Sequence, residues 1–257
     1  MMTHAKVLRP PLSADSDRAP PSSAKHHLVH RGFTLVELSV ALVVIALIVS
    51  AVLSGRDLLR SAGNTRMIAE FVQGWMLAYD THVATVGRVP GDSPTNPSGK
   101  VGNADTPLCN SPSPSSYPLN NAFLAHGIQL PHGRAHGSED RYVYQDSRGL
   151  PHELRVCFQN VPWSEAGASQ GVHVSRRRNV MVLSGVTPEL AMTLDKQVDG
   201  RVDARFGRVR EDQQSNLLTG LSANWSRDER SSFGGTPDAG TDESQSAEMT
   251  VYIQMSH

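Results

Sequence analysis

The sequence predicts an α+β protein: a long N-terminal helix followed by a C-terminal domain of antiparallel strands with large loops. Two observations carry this. Residues 33–55, FTLVELSVALVVIALIVSAVLSG, are apolar with no preferred face, and the chain then turns amphipathic at helical spacing. Beyond residue 87, stretches rich in Gly, Pro, Ser and Asn separate short alternating runs, the pattern of strands and turns.

The first 32 residues contain Pro10, Pro11, Pro20 and Pro21, scattered serines and little periodic apolarity, so they are expected to form a disordered leader. The next 23 residues are apolar apart from Glu37 and a few small hydroxyl side chains. At about 1.5 Å per residue such a helix crosses the roughly 30 Å of bilayer hydrocarbon. An acid inside that run is costly unless it finds a partner.

Arg31-Gly32-Phe33-Thr34-Leu35-Val36-Glu37, followed at once by the apolar run, resembles the N-terminal signature of type IV pilins and the pseudopilins of type II secretion. The resemblance is specific over residues 31–60. It implies cleavage between Gly32 and Phe33 by a membrane-embedded prepilin peptidase and N-methylation of the new Phe33 amine. Assembly into a filament then follows. The family's acid at the fifth mature position falls on Glu37. In a filament, the amine of one subunit can meet Glu37 of its neighbour, and each ion then has a counter-charge where isolation costs several kcal/mol. The resemblance also implies a helix packed on an antiparallel sheet. The implied partners are prepilin peptidase, other pilin or pseudopilin subunits, an inner-membrane assembly platform and the lipid bilayer.

Two other membrane readings compete. A secretory signal would be cut after the apolar run, and Val49-Ser50-Ala51 offers a small-x-small site. A plain anchor is the second. Arg18, Lys25 and Arg31 before the run balance Arg56, Arg60 and Arg66 after it. Charge therefore does not orient the span. The motif orients it with the N-terminus cytoplasmic and the C-terminal domain periplasmic, single-pass in the inner membrane.

The helix is expected to continue over 56–86. Ile68, Phe71, Val72, Trp75, Met76 and Tyr79 share one face, with Arg66, Glu70, Gln73 and Asp80 off it. Gly55, Gly63 and Gly74 each weaken such a helix by about 1 kcal/mol relative to alanine, and are suited to a bend or to close packing. Residues 87–257 form the globular domain. It opens with a loop over 87–120, in which Val89-Pro90-Gly91-Asp92 resembles a segment that follows the long helix in some prepilin-like proteins. A short helix is expected over 120–128. Strands are expected at 141–146, 152–159, 179–186, 206–211 and 249–255. The turn between the first two holds Gly149 and Pro151. Thr187-Pro188-Glu189 opens a helix running to Val198: Thr suits the cap, Pro the first position, and Glu the positive end. Residues 226–248 are polar and expected to be a mobile loop.

Cys109 and Cys157 are the two cysteines of the chain. In an exported domain, as the resemblance implies, they are expected to form a disulfide, worth about 4 kcal/mol in the chain-entropy model. Two buried free thiols are the alternative for a cytosolic chain.

Other chemistry is sparse. His126, His132 and His136 match no standard metal spacing. Asp195, Asp199 and Asp203 recur every four residues and are candidate calcium ligands, although Asp199-Gly200 also explains itself as a helix-end turn. No nucleophile elbow, phosphate loop or dinucleotide fingerprint occurs, so no catalytic residue and no cofactor are assigned. The net charge of −1 and the lone basic run Arg176-Arg177-Arg178, expected as a solvated turn, give no nucleic-acid footprint. The expected function is therefore a structural filament subunit, not an enzyme, with low aromatic content and large loops favouring a minor or specialised one. The alternative is a membrane-anchored or secreted domain with enzymatic or ligand-binding activity.

Overall fold

The computed structural model describes residues 33–102, 106–110, 118–146, 148–225 and 248–256, without the side chains of 56 and 57. The leader expected at 1–32 and nearly all of the loop expected at 226–248 lie outside the described residues. The chain divides into two compact units, Met1–Val49 and Ser50–His257.

Helix α1 spans Leu35–Met67. A π-helical turn, Ile68–Val72, follows, and then α2, Gln73–Val86. The π turn was not expected. It inserts an extra residue into the helical phase, yet the apolar stripe persists: Ile68, Phe71, Val72, Trp75 and Tyr79 are buried, with Met76 half-buried. Arg66 and Glu70 stay on the wet side as an ion pair one turn apart. Gly87 ends α2 at φ 76°, its N–H returning to Val83 O. Of the three glycines, Gly74 is explained by packing: a Cβ there would lie 2.8 Å from Pro131 Cβ. Gly55 and Gly63 have open space around them.

Among the described residues, five strands form one antiparallel sheet: β1 (Arg141–Gln145), β2 (Pro151–Ala166), β3 (His173–Val186), β4 (Val209–Glu211) and β5 (Met249–Gln254). Their order is β1-β2-β3-β5-β4, so the last strand in sequence sits inside the sheet. The predicted α+β architecture, a long helix with an antiparallel sheet, is what the chain adopts. Period-2 alternation puts Val156 opposite Leu183, Phe158 opposite Met181, and Ile253 opposite both Met181 and Val209. These side chains are buried and meet the α2 stripe, where Tyr79 stacks on Phe158 at 5.3 Å and Trp75 lies edge-on to Phe123 at 5.6 Å. Phe123 comes from the short helix α3, Pro118–Leu124, which begins and ends earlier than expected.

The β2–β3 hairpin reaches further than expected, because residues 161–166 pair with 173–178. Arg176, Arg177 and Arg178 are thus strand residues and not a solvated turn. Glu165 on the opposite strand binds Arg178 through both carboxylate oxygens, at 2.5 and 2.9 Å. Cross-strand charge pairing lets polar residues hold strand form without alternating hydrophobicity. Behind this ribbon a second small cluster of Val161, Trp163 and Val180 is capped by Arg210, whose guanidinium lies 4.1 Å over the Trp163 ring.

Gly185 interrupts the β3–β5 register as a bulge at φ 78°. Tyr144 Oη donates to Gly185 O and accepts the Thr187 N–H, both at 2.8 Å. One phenol thus ties the bulge to the start of α4, Pro188–Asp199. Thr187 stands at the N-cap position as expected, but its side chain makes no cap bond. The loop after α2 is ordered around Asp92, whose carboxylate accepts the N–H groups of Ser93, Ser98 and Gly99. Asn179 of β3 holds this loop through Gly99 O and Val101 N. These bonds keep the Asp92 carboxyl below its ordinary range although partial burial opposes them.

Candidate functional site

The segment that stands apart is the start of α1. From Phe33 to Ser54 every described residue is exposed, including Phe33 at 86% and Leu42 at 59%. Among the described residues this is the one helix long and apolar enough to cross a membrane. Ser39 removes its hydroxyl from the apolar surface by donating to Val36 O at 2.8 Å.

Thr34 and Glu37 open the helix reciprocally. The Thr34 N–H donates to Glu37 Oε2 at 2.9 Å, as does the Thr34 hydroxyl, and the Glu37 N–H donates to Thr34 Oγ1 at 3.2 Å. This is a capping box, with Thr34 at the N-cap and Glu37 at the third helical position. The acid also sits at the positive end of the helix dipole. One of its two bonds comes from the peptide N–H between Phe33 and Thr34, the group next to any amine created at Phe33, and the other from the Thr34 hydroxyl. The Thr-x-x-Glu spacing was the available signal for this cap. Gly32 lies outside the described residues.

A family model for the prokaryotic N-terminal methylation motif matches residues 29–53, and that motif is the prepilin-type signature of type IV pilins and pseudopilins. The chain carries the prepilin signature. No curated protein and no solved structure matches it. The prepilin signature, with the apolar helix behind it, supports a pilin- or pseudopilin-like protein anchored in a membrane.

The remaining sequence candidates fall in the second unit. Cys109 and Cys157 are bonded, with Cα atoms 4.6 Å apart, joining the segment bridged at Leu108–Phe158 to β2. His126 sits edge-on to His82 at 5.1 Å, and His136 lies 3.6 Å from Glu139. His126, His132 and His136 are all exposed. Asp195 Oδ2 accepts the Asp203 N–H at 2.7 Å. Asp199 Oδ2 accepts the N–H groups of Arg208 and Val209, each at 2.8 Å, and Asp203 Oδ1 accepts those of Arg205 and Phe206. Each of the three acids therefore organises backbone after α4. Among the described residues no group of three or more His, Cys, Asp or Glu side chains is placed to hold a metal.

The sequence reading missed the burial of several polar groups, that of the candidate Asp195 included. His82 is buried in α2, with Nδ1 3.0 Å from Arg88 O, and burial lowers its pKa. Burial pushes the Asp195 carboxyl up to about 7, with the Asp199 charge adding to the rise and the Asp203 N–H opposing it. Arg205 spans Leu217 O and Leu221 O, and burial lowers the Arg210 guanidinium to about 10.

Proposed function

We propose that this chain is a subunit of a type IV pilus or type II secretion pseudopilus, of the minor or specialised kind. Prepilin peptidase cuts it between Gly32 and Phe33, the new amine is methylated, and the apolar helix packs into a filament core at an inner-membrane assembly platform. The observation that carries the reading is the methylation motif joined to an apolar run, residues 33–55, whose single acid sits in the first turn of α1.

The capping geometry suggests how the acid is managed. While the subunit is stored in the bilayer, Thr34 supplies two donors to Glu37, so the carboxylate is never bare. In the filament, a neighbour's methylated amine competes for the same carboxylate and brings a full counter-charge. A misregistered subunit leaves both ions unpaired, a cost of several kcal/mol. The N-terminus stays on the cytoplasmic side before extraction, with the domain in the periplasm.

Mass spectrometry of the N-terminus tests the processing. N-methyl-Phe33 is the expected species, and a start near Val52 or at Met1 overturns the reading. Glu37→Ala should leave insertion and processing intact while excluding the subunit from purified filaments. Normal incorporation would defeat the pairing.

A further inference from the structure

A groove of about 710 Å³ lies between the second part of α1 and β1, lined by Leu53, Leu59, Arg60, Tyr142, Val143 and Arg148 among others. That is within the range of about 300–1,000 Å³ typical of small-molecule sites. Its apolar residues are open to the outside: Leu53 is 58% exposed, Leu59 75% and Val143 45%. Two cations line it and no acid does. The carboxylates that steady those cations stand outside the lining. Glu189 of α4 pairs with Arg60, and Asp146 lies 3.7 Å from Arg148.

Polarity changes along this groove in step with the helix. Leu53 belongs to the end of the apolar run, and Arg60 lies two turns on, about 10 Å at the helical rise. The headgroup layer outside the hydrocarbon is about 5–8 Å thick on each side. With α1 as the anchor, the groove would begin at acyl level and reach its first cation at headgroup level. Tyr142 and Tyr144 close the groove on the β1 side, Tyr144 buried with its hydroxyl already bonded to Gly185 O and the Thr187 N–H. A phospholipid has the same sequence of polarity over the same distance.

We propose that this groove holds one anionic phospholipid, its acyl chain along Leu53 and Val143, its glycerol backbone at Leu59 and its phosphate at Arg60 and Arg148. The lipid seats the domain against the bilayer surface. The inference rests on α1 being a membrane anchor.

The test uses the full chain carrying the photo-crosslinker p-benzoylphenylalanine in place of Val143, reconstituted into vesicles of equal phosphatidylethanolamine and phosphatidylglycerol. Flotation reports anchoring, and mass spectrometry of the irradiated protein reports the groove. The expected result is a phospholipid adduct in which phosphatidylglycerol exceeds phosphatidylethanolamine about fivefold, the ratio for one basic side chain at an anionic surface. Arg148→Gln should bring that ratio towards one, and Leu59→Ser should lower the total adduct while the protein still floats. Protein that floats but gives no lipid adduct overturns the inference and leaves the anchor standing. So does an adduct to a second copy of the chain, or an adduct without lipid preference. Protein that does not float removes the anchor and the inference together.

Discussion

Phe33 stands just before α1 and Phe71 in the π turn that follows it, yet Phe33 is 86% exposed and Phe71 is fully buried. The segment around Phe33 is apolar on every side and carries no stripe, so no single face can satisfy it. The segment around Phe71 is apolar on one side, and the sheet covers that side. A helix with a stripe finds its partner within its own chain. A helix without one requires an apolar solvent or other subunits all around it. The same local geometry therefore serves folding in one half and anchoring in the other.

The largest expected effect breaks this contrast directly. Trp75→Ala should cost about 3–5 kcal/mol of domain stability, since it empties a fully buried site beside Phe123 and Phe158. Leu42→Ala, in the unstriped half, should change the same detergent-solubilised unfolding midpoint by no more than about 0.5 kcal/mol. Equal effects would show that the first half packs on the domain. Next, Tyr144→Phe should lose about 1–3 kcal/mol, because Gly185 O and the Thr187 N–H are left without their shared partner. An unchanged midpoint would mean that the bulge and α4 are held otherwise.

A subtler comparison sets a buried acid of the domain, on α4, beside the acid of the apolar run. Asp195 is buried with its carboxyl near 7, above its ordinary 3.8. The folded state therefore binds the proton more tightly than the unfolded one, and this group's contribution is fullest below about 4 and lost as pH rises to about 7. Asp195→Asn should match the wild type at pH 4 and exceed it by an amount of order 1 kcal/mol at pH 8, read as thermal midpoint against pH. A gap that does not grow with pH would place the proton elsewhere. The smallest effect belongs to the other acid's cap. Thr34→Ala should cost about 0.5–1 kcal/mol locally, seen as faster amide exchange over residues 35–38 in micelles with the domain unaffected.

Much of the architecture was legible because it rests on periodicity. The apolar run, the α2 stripe and the starts of β1, β2 and β5 follow from spacing alone, whereas β3 begins six residues before the expected 179 and β4 three after the expected 206. Strand ends were less legible: β2 was expected to stop at residue 159 and runs to Ala166, since its far part pairs through Glu165 and Arg178 and carries no apolar alternation. The π turn left no trace, because one extra residue shifts the phase without clearing the stripe of apolar side chains. The Thr34 cap was written in the spacing, but an acid inside an apolar run suggests a distant partner before a local one. His82, Arg205 and Arg210 gave no local sign. Their burial depends on carbonyls and a ring that only the fold brings to them, at Arg88, Leu217, Ser164 and Trp163.

Strand β5 sits between β3 and β4, with Val251 and Ile253 in the core. For a polypeptide synthesised from its N-terminal end, this position sets a timetable. Residues 249–254 emerge late, so β3 waits with a bare inner edge and β4 has no neighbour until they arrive. An arrest of synthesis that withholds this segment would leave an adhesive half-sheet for chaperones to guard.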